Sequence, residues 1–117
     1  MTIEAEVIHG QQLGRTIGFP TANMDASGVD IENGVYSSVV ELDGRSYKAM
    51  TNVGVRPSVD GSTRLLETHL FGYEGSLYGC RLRVTLIKKL RDEHKFPSLA
   101  ALKAQIAADA AAILSEE

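Results

Sequence analysis

The sequence predicts a mainly β domain, with five or six short antiparallel strands closed into a small barrel or sandwich and one helix docked at the C-terminus. Three observations predict it. Strand-like runs recur about every ten residues, an Asp-Gly pair separates two extended apolar runs, and an alanine-rich segment of helical spacing closes the chain.

The first run, "IEAEVIH" at 3–9, alternates apolar and polar residues and is β-branched at Ile3, Val7 and Ile8, the pattern of a half-buried strand. The stretch from Gly10 to about Asp30 cannot continue it, because its glycines and Pro20 interrupt any pleated pattern. Residues 34–54, "GVYSSVVELDGRSYKAMTNVG", form two extended runs around Asp43-Gly44. Both central residues of a type I′ turn need positive φ, which Asp-Gly supplies, so a hairpin is predicted here. After the turn-rich "RPSVDGST" comes the short strand "RLLETHLF", 64–71, and after "GYEGSLYG" comes "CRLRVTLIKKL", 80–90. In that last run Leu82, Val84 and Leu86 share one face while Arg81, Arg83 and Thr85 share the other. From Ser98 onward Leu99, Leu102, Ile106 and Ile113 fall near helical spacing, with Ser98 placed to cap and Pro97 just before it. That helix is expected on the outside of the sheet.

Composition narrows the function. A chain of 117 residues fits one domain spanning residues 1–117, with 44% hydrophobic and 23% charged residues and a net charge of −3. Six Lys or Arg lie between Arg81 and Lys95, but Asp92 and Glu93 interrupt them in an acidic chain, so no nucleic-acid partner is expected. Aromatics are 6% of residues and Trp is absent, which leaves little for base stacking. The single cysteine, Cys80, has no internal partner, and the N-terminal "MTIEAEVIHG" is neither a signal peptide nor a membrane span. A cytoplasmic monomer with no membrane partner is expected.

The long segment 10–33 has the length of a functional loop. Gly10, Gly14 and Gly18 recur every four residues, which lets backbone N–H groups approach a phosphate. A P-loop does not fit: the first glycine spacing is one residue short, Arg15-Thr16 stands where Lys-Ser/Thr belongs, and no helix follows. Within "PTAN", Thr21 and Asn23 are two apart, so in an extended segment their oxygens point the same way. Two neutral hard oxygens suit Mg²⁺ only when nucleotide phosphates add negative charge, and local turn hydrogen bonds are the alternative. In "LLETHL" the alternation places Glu67 and His69 with Leu65 and Phe71, opposite Leu66, Thr68 and Leu70. A carboxylate among apolar neighbours can act as a general base; a solvated Glu on an edge strand is equally compatible with alternation.

The fragments "GRTIGFPTAN", "GVY", "NVGVRP", "ETHL", "LYG" and "LRDEHKF", taken in order, resemble the riboflavin kinase family, including the C-terminal kinase module of bacterial bifunctional FAD synthetases. The resemblance runs from about Val7 to the final helix. It implies a six-stranded antiparallel Greek-key β-barrel with a C-terminal α-helix, and ATP-dependent phosphorylation of the riboflavin 5′-hydroxyl to give FMN and ADP. It further implies that Thr21 and Asn23 hold Mg²⁺ and that Glu67 is the catalytic base. Gly10, Gly14, Arg15, Gly18, Pro20, Thr21, Asn23, Leu70, Gly72 and Tyr78 would then bind ATP, and Arg91, His94 and Phe96 the flavin. Ala5, Asn33 and Gly72 differ from the family's usual residues and lie around the chemical groups rather than on them. With nothing ahead of the barrel, FMN and not FAD is the expected product. A catalytically silent flavin- or nucleotide-binding barrel is the alternative, against which the retained Glu67 weighs, since a carrier needs no base.

Overall fold

The computed structural model describes residues 1–8, 20–58 and 61–116. Among these residues six strands and one helix form, in the order β1 (Thr2–Glu6), β2 (Ala22–Asp25), β3 (Gly34–Leu42), β4 (Arg45–Ser58), β5 (Gly61–Leu70), β6 (Arg81–Arg91) and α1 (Leu99–Leu114). All pairings are antiparallel, in the spatial order β1-β6-β3-β4-β5-β2. Past the end of β1, an isolated bridge between Ile8 and Asn23 joins the two edges, so the sheet nearly closes into a barrel rather than a sandwich. Three consecutive hairpin strands, β3-β4-β5, followed by β6 returning beside β3, make the arrangement a Greek key.

Alternation decides which residues fill the barrel. Met24, Val40, Val53, Leu66, Leu82 and Val84 point inward and are fully buried. Burial of such side chains is worth about 1.5–3 kcal/mol each relative to exposure, which is what closes a sheet of this size. A chain of hydroxyls runs through the same interior: Ser38 Oγ and Thr51 Oγ1 are 2.7 Å apart, and Thr51 Oγ1 and Thr68 Oγ1 are 3.0 Å apart. These polar atoms satisfy one another, so burying them carries little penalty.

The predicted hairpin forms as expected, with Asp43 at φ 51° and Gly44 at φ 77°. Elsewhere the strand bounds differ from those that alternation suggested. β4 continues through Ser58 and pairs it with Gly61, so the expected turn-rich segment is mostly ladder. β1 ends at Glu6, sooner than its alternation suggested. The expected loop 10–33 contains β2, whose short "ANMD" lacks β-branched residues but buries Ala22, Asn23 and Met24. Asp25 closes it with an Asx-type turn, its Oδ1 accepting the Ser27 N–H at 2.8 Å.

Helix α1 lies against the outer face of the sheet, where Ile113 and Ile106 pack on Val35, Met50, Phe71 and Leu90. Ser98 caps it, accepting the Ala101 N–H at 3.1 Å. Its buried side is narrower than the expected stripe. Leu99 is 51% exposed, and Asp109, Ala110 and Ile113 take the buried positions.

Candidate functional site

The register of β5 between its two neighbours builds the centre of the site. Asn23 of β2 and Asn52 of β4 are both paired with Glu67, one on each side. Because Ala22, Met24, Leu66, Thr68, Thr51 and Val53 face the core, the alternation sends Asn23, Glu67 and Asn52 to the outer face, side by side across three strands. Asn23 is 5% exposed, and the Oδ1 atoms of Asn23 and Asn52 are buried without a hydrogen-bond partner. Orphaned buried acceptors cost stability of about 1–3 kcal/mol each, so they point to a site that takes a donor or a cation.

Glu67 is held in this row by a guanidinium. Arg56 Nε lies 2.8 Å from Glu67 Oε1, and Arg56 Nη2 lies 2.9 Å from Glu93 Oε2, so one side chain of β4 spans two carboxylates. The Glu67 contact is ionic, its geometry falling outside that of a hydrogen bond. Burial pushes the Glu67 carboxyl above the usual carboxylate range; the Arg56 charge opposes this and the nearby Glu93 charge adds to it.

Beside this row opens a cleft of about 420 Å³ at one end of the barrel. Pro20, Thr21, Asn23, Leu70 and Tyr78 line it, together with Thr68, His69, Tyr73 and Leu77. Of the residues expected at a nucleotide, these five are brought together. Gly72 forms the turn after β5 with φ 81° and is not a lining residue. Gly10, Gly14, Arg15 and Gly18 lie outside the described residues. His69, given no role by the sequence, fixes the entry to β2: its Nδ1 is 2.7 Å from the Pro20 carbonyl, and since a carbonyl only accepts, Nδ1 is the donor. That bond ties the segment carrying Thr21 to the strand carrying Glu67.

Thr21 and Asn23 are the residues that fit a cation. Among the described residues no group of three or more His, Cys, Asp or Glu forms a metal site. The orphaned Asn23 Oδ1 and the Thr21 hydroxyl are hard and neutral, matching a divalent ion that arrives with the negative charge of polyphosphate.

The residues expected at the flavin form a second cluster at the end of β6 and just beyond it. The His94 and Phe96 rings are 4.2 Å apart, and the Arg91 guanidinium carbon is 5.7 Å from the Phe96 ring centre. Arg91 is no solvated surface charge: it makes a fork to Asp109 of α1, with Nη2 donating to Oδ2 at 2.8 Å. Asp109 is 6% exposed and also accepts from Gln105 Nε2 at 3.0 Å. Because Glu93 reaches Arg56, this segment is tied to the same outer face as Glu67.

Comparison with known proteins adds the family. The family model described as "Flavokinase: Riboflavin kinase" matches residues 1–115. The bifunctional riboflavin kinase/FMN adenylyltransferase of Pseudomonas fluorescens is 46% identical over 112 residues, covering 94% of this chain and 36% of that protein. The chain thus spans about a third of the length of the curated relatives it matches. A crystal structure titled as a macrolide-efflux protein from Streptococcus pneumoniae superposes with a TM-score of 0.87 at 32% identity, over 99% of this chain and 39% of that one. A riboflavin kinase structure from Trypanosoma brucei shares the fold, with a TM-score of 0.60 at 23% identity over 96% of this chain and 76% of its own.

Proposed function

The chain belongs to the riboflavin kinase family, and from that premise we propose that it transfers the γ-phosphoryl group of ATP to the riboflavin 5′-hydroxyl, giving FMN and ADP. The observation that carries the reading is the pairing of Asn23 with Glu67 across β2 and β5, beside a cleft that Thr21 also lines. The cleft holds the nucleotide, and the segment Arg91–Phe96 on the other side of Glu67 receives the flavin. ATP and riboflavin are the substrates, and the setting is cytoplasmic.

Glu67 takes the 5′-hydroxyl proton as that oxygen forms its bond to the γ-phosphorus and the bond to the β-bridging oxygen breaks, releasing ADP. A base for this step works best when its pKa approaches neutrality, and burial moves Glu67 in that direction. Thr21 and Asn23 would hold Mg²⁺, which when bound neutralises the phosphates. The protein's remaining work is positioning, which phosphoryl transfer rewards because little covalent chemistry is left to the side chains.

Incubation of the purified chain with riboflavin and MgATP, followed by chromatographic separation of the flavins, tests the proposal. FMN accumulation is expected; no FMN above a protein-free control overturns it.

A further inference from the structure

The outer face of β4 carries Asn52, Gly54 and Arg56 at successive alternate positions, and no role attaches to them in the reaction described above. Asn52 lies beside Glu67 in register. Gly54 is buried beneath the Glu93 carboxylate, and a Cβ at position 54 would overlap that carboxylate. Gly54 has no positive φ to explain it, so the absent side chain is what seats Glu93. Arg56 then reaches both acids, with Nε at 2.8 Å from Glu67 and Nη2 at 2.9 Å from Glu93. Its side chain is only 24% exposed, so the two contacts are shielded from bulk water.

We infer that Arg56 is the positioning residue of this site: one guanidinium fixes the Glu67 carboxylate in the row between Asn23 and Asn52 and, through Glu93 seated on Gly54, ties the flavin segment to the same point. The inference rests on the proposed role of Glu67 as base. Its planar fork explains why arginine occupies the position, since an ammonium is a point charge without two fixed arms for two carboxylates. Among the described residues, the charged groups acting on Glu67 are Arg56 from β4 and Glu93 from the segment after β6; His69 shares its face of β5, its neighbours Asn23 and Asn52 are neutral, and Asp109 of α1 is engaged by Arg91.

The clamp is tested by steady-state kinetics of FMN formation in Arg56→Met and Arg56→Lys, beside thermal unfolding of each variant. A carboxylate no longer held in place loses orientation, so kcat in a folded Arg56→Met is expected to fall about tenfold or more. Arg56→Lys restores a charge without the fork and is expected to recover part of kcat, a rescue that a purely structural role would not show. Gly54→Ala unseats Glu93 while sparing the Arg56–Glu67 contact, and is expected to raise KM for riboflavin severalfold with kcat less affected; this measurement stands even if both Arg56 variants fail to fold. Wild-type kcat in a folded Arg56→Met, or an unchanged KM for riboflavin in Gly54→Ala, overturns the inference. Full FMN production by Glu67→Gln would instead overturn the base assignment, while the Gly54→Ala measurement would still report on the clamp.

Discussion

Replacing Glu67 by Gln separates chemistry from architecture at the centre of the site. The amide keeps the side chain's size and its place between Asn23 and Asn52 but cannot accept the hydroxyl proton. General-base catalysis contributes about 10²- to 10⁴-fold, so kcat is expected to fall by that factor, equivalent to about 2.7–5.5 kcal/mol in the barrel's transition-state stabilisation. Stability moves the other way. Burial raises the folded-state pKa of Glu67 above its ordinary 4.5, so the folded chain binds this proton more tightly than the unfolded chain does. The resulting contribution to stability is fully present below pH 4.5 and is lost as the pH rises through the raised value. Above that raised value the ionised, buried carboxylate is therefore a liability that Gln does not share. The expected pair of results is a kcat reduced at least a hundredfold with a thermal midpoint equal to or above wild type at neutral pH, an advantage that shrinks as the pH falls toward 4.5. Flavin chromatography and thermal unfolding at several pH values measure both. Turnover within tenfold of wild type refutes the base, and a large drop in the thermal midpoint refutes the claim that Glu67 is retained for chemistry at a cost to stability.

Two further substitutions probe the flanks of the site. Thr21→Ala removes one hard oxygen beside the orphaned Asn23 Oδ1, so Mg²⁺-dependent nucleotide binding is expected to weaken; a calorimetric titration with MgADP showing unchanged affinity and unchanged metal dependence counts against the assignment. Arg91→Met leaves the Asp109 carboxylate, 6% exposed, without its guanidinium, and breaking such a pair from one side costs about 3–5 kcal/mol. Denaturant unfolding should show a loss of that order, whereas a loss under 1 kcal/mol would show that the fork to α1 carries little of the helix docking.

Much of the architecture is legible because local chemistry and global packing agree. Asp43-Gly44 demands a turn that only a hairpin supplies, and the alternation of Leu82, Val84 and Leu86 against Arg81, Arg83 and Thr85 survives unchanged in β6. The alternation in "LLETHL" likewise separates Glu67 and His69 from the buried Leu66, Thr68 and Leu70. β2 is hidden for a physical reason: four residues without β-branching become a strand only because β5 offers an edge to pair with, a tertiary effect that propensity does not record. Arg56 and Asp109 escape notice differently, since a lone charged residue reads as solvated until its partner is placed. For Asp109 a signal exists: it sits three residues after Ile106 and four before Ile113, on the stripe that packs on the sheet, where an acid needs a buried partner. For Arg56 no comparable pattern exists, because Glu67 and Glu93 come from elements distant in sequence.

The position of Glu67 depends on a register that the core enforces. Side-chain direction in a strand has period two, so a slip of β5 by one residue would turn Glu67 into the barrel and Leu66 out of it. Leu66 and Leu70 oppose such a slip by losing burial, and Thr68 opposes it by losing its bond to Thr51 at 3.0 Å and, through it, the chain to Ser38. The same pairings that bury these groups align Asn23 and Asn52 with Glu67 on the opposite face. Placement of the Glu67 carboxylate is thus inherited from the interior rather than from a loop. The segment carrying Thr21 and the segment after β6 are linked to its surroundings differently, the first by the His69–Pro20 bond and the second by the Arg56–Glu93 pair. Between the two flanks the carboxylate stays where the barrel's packing puts it.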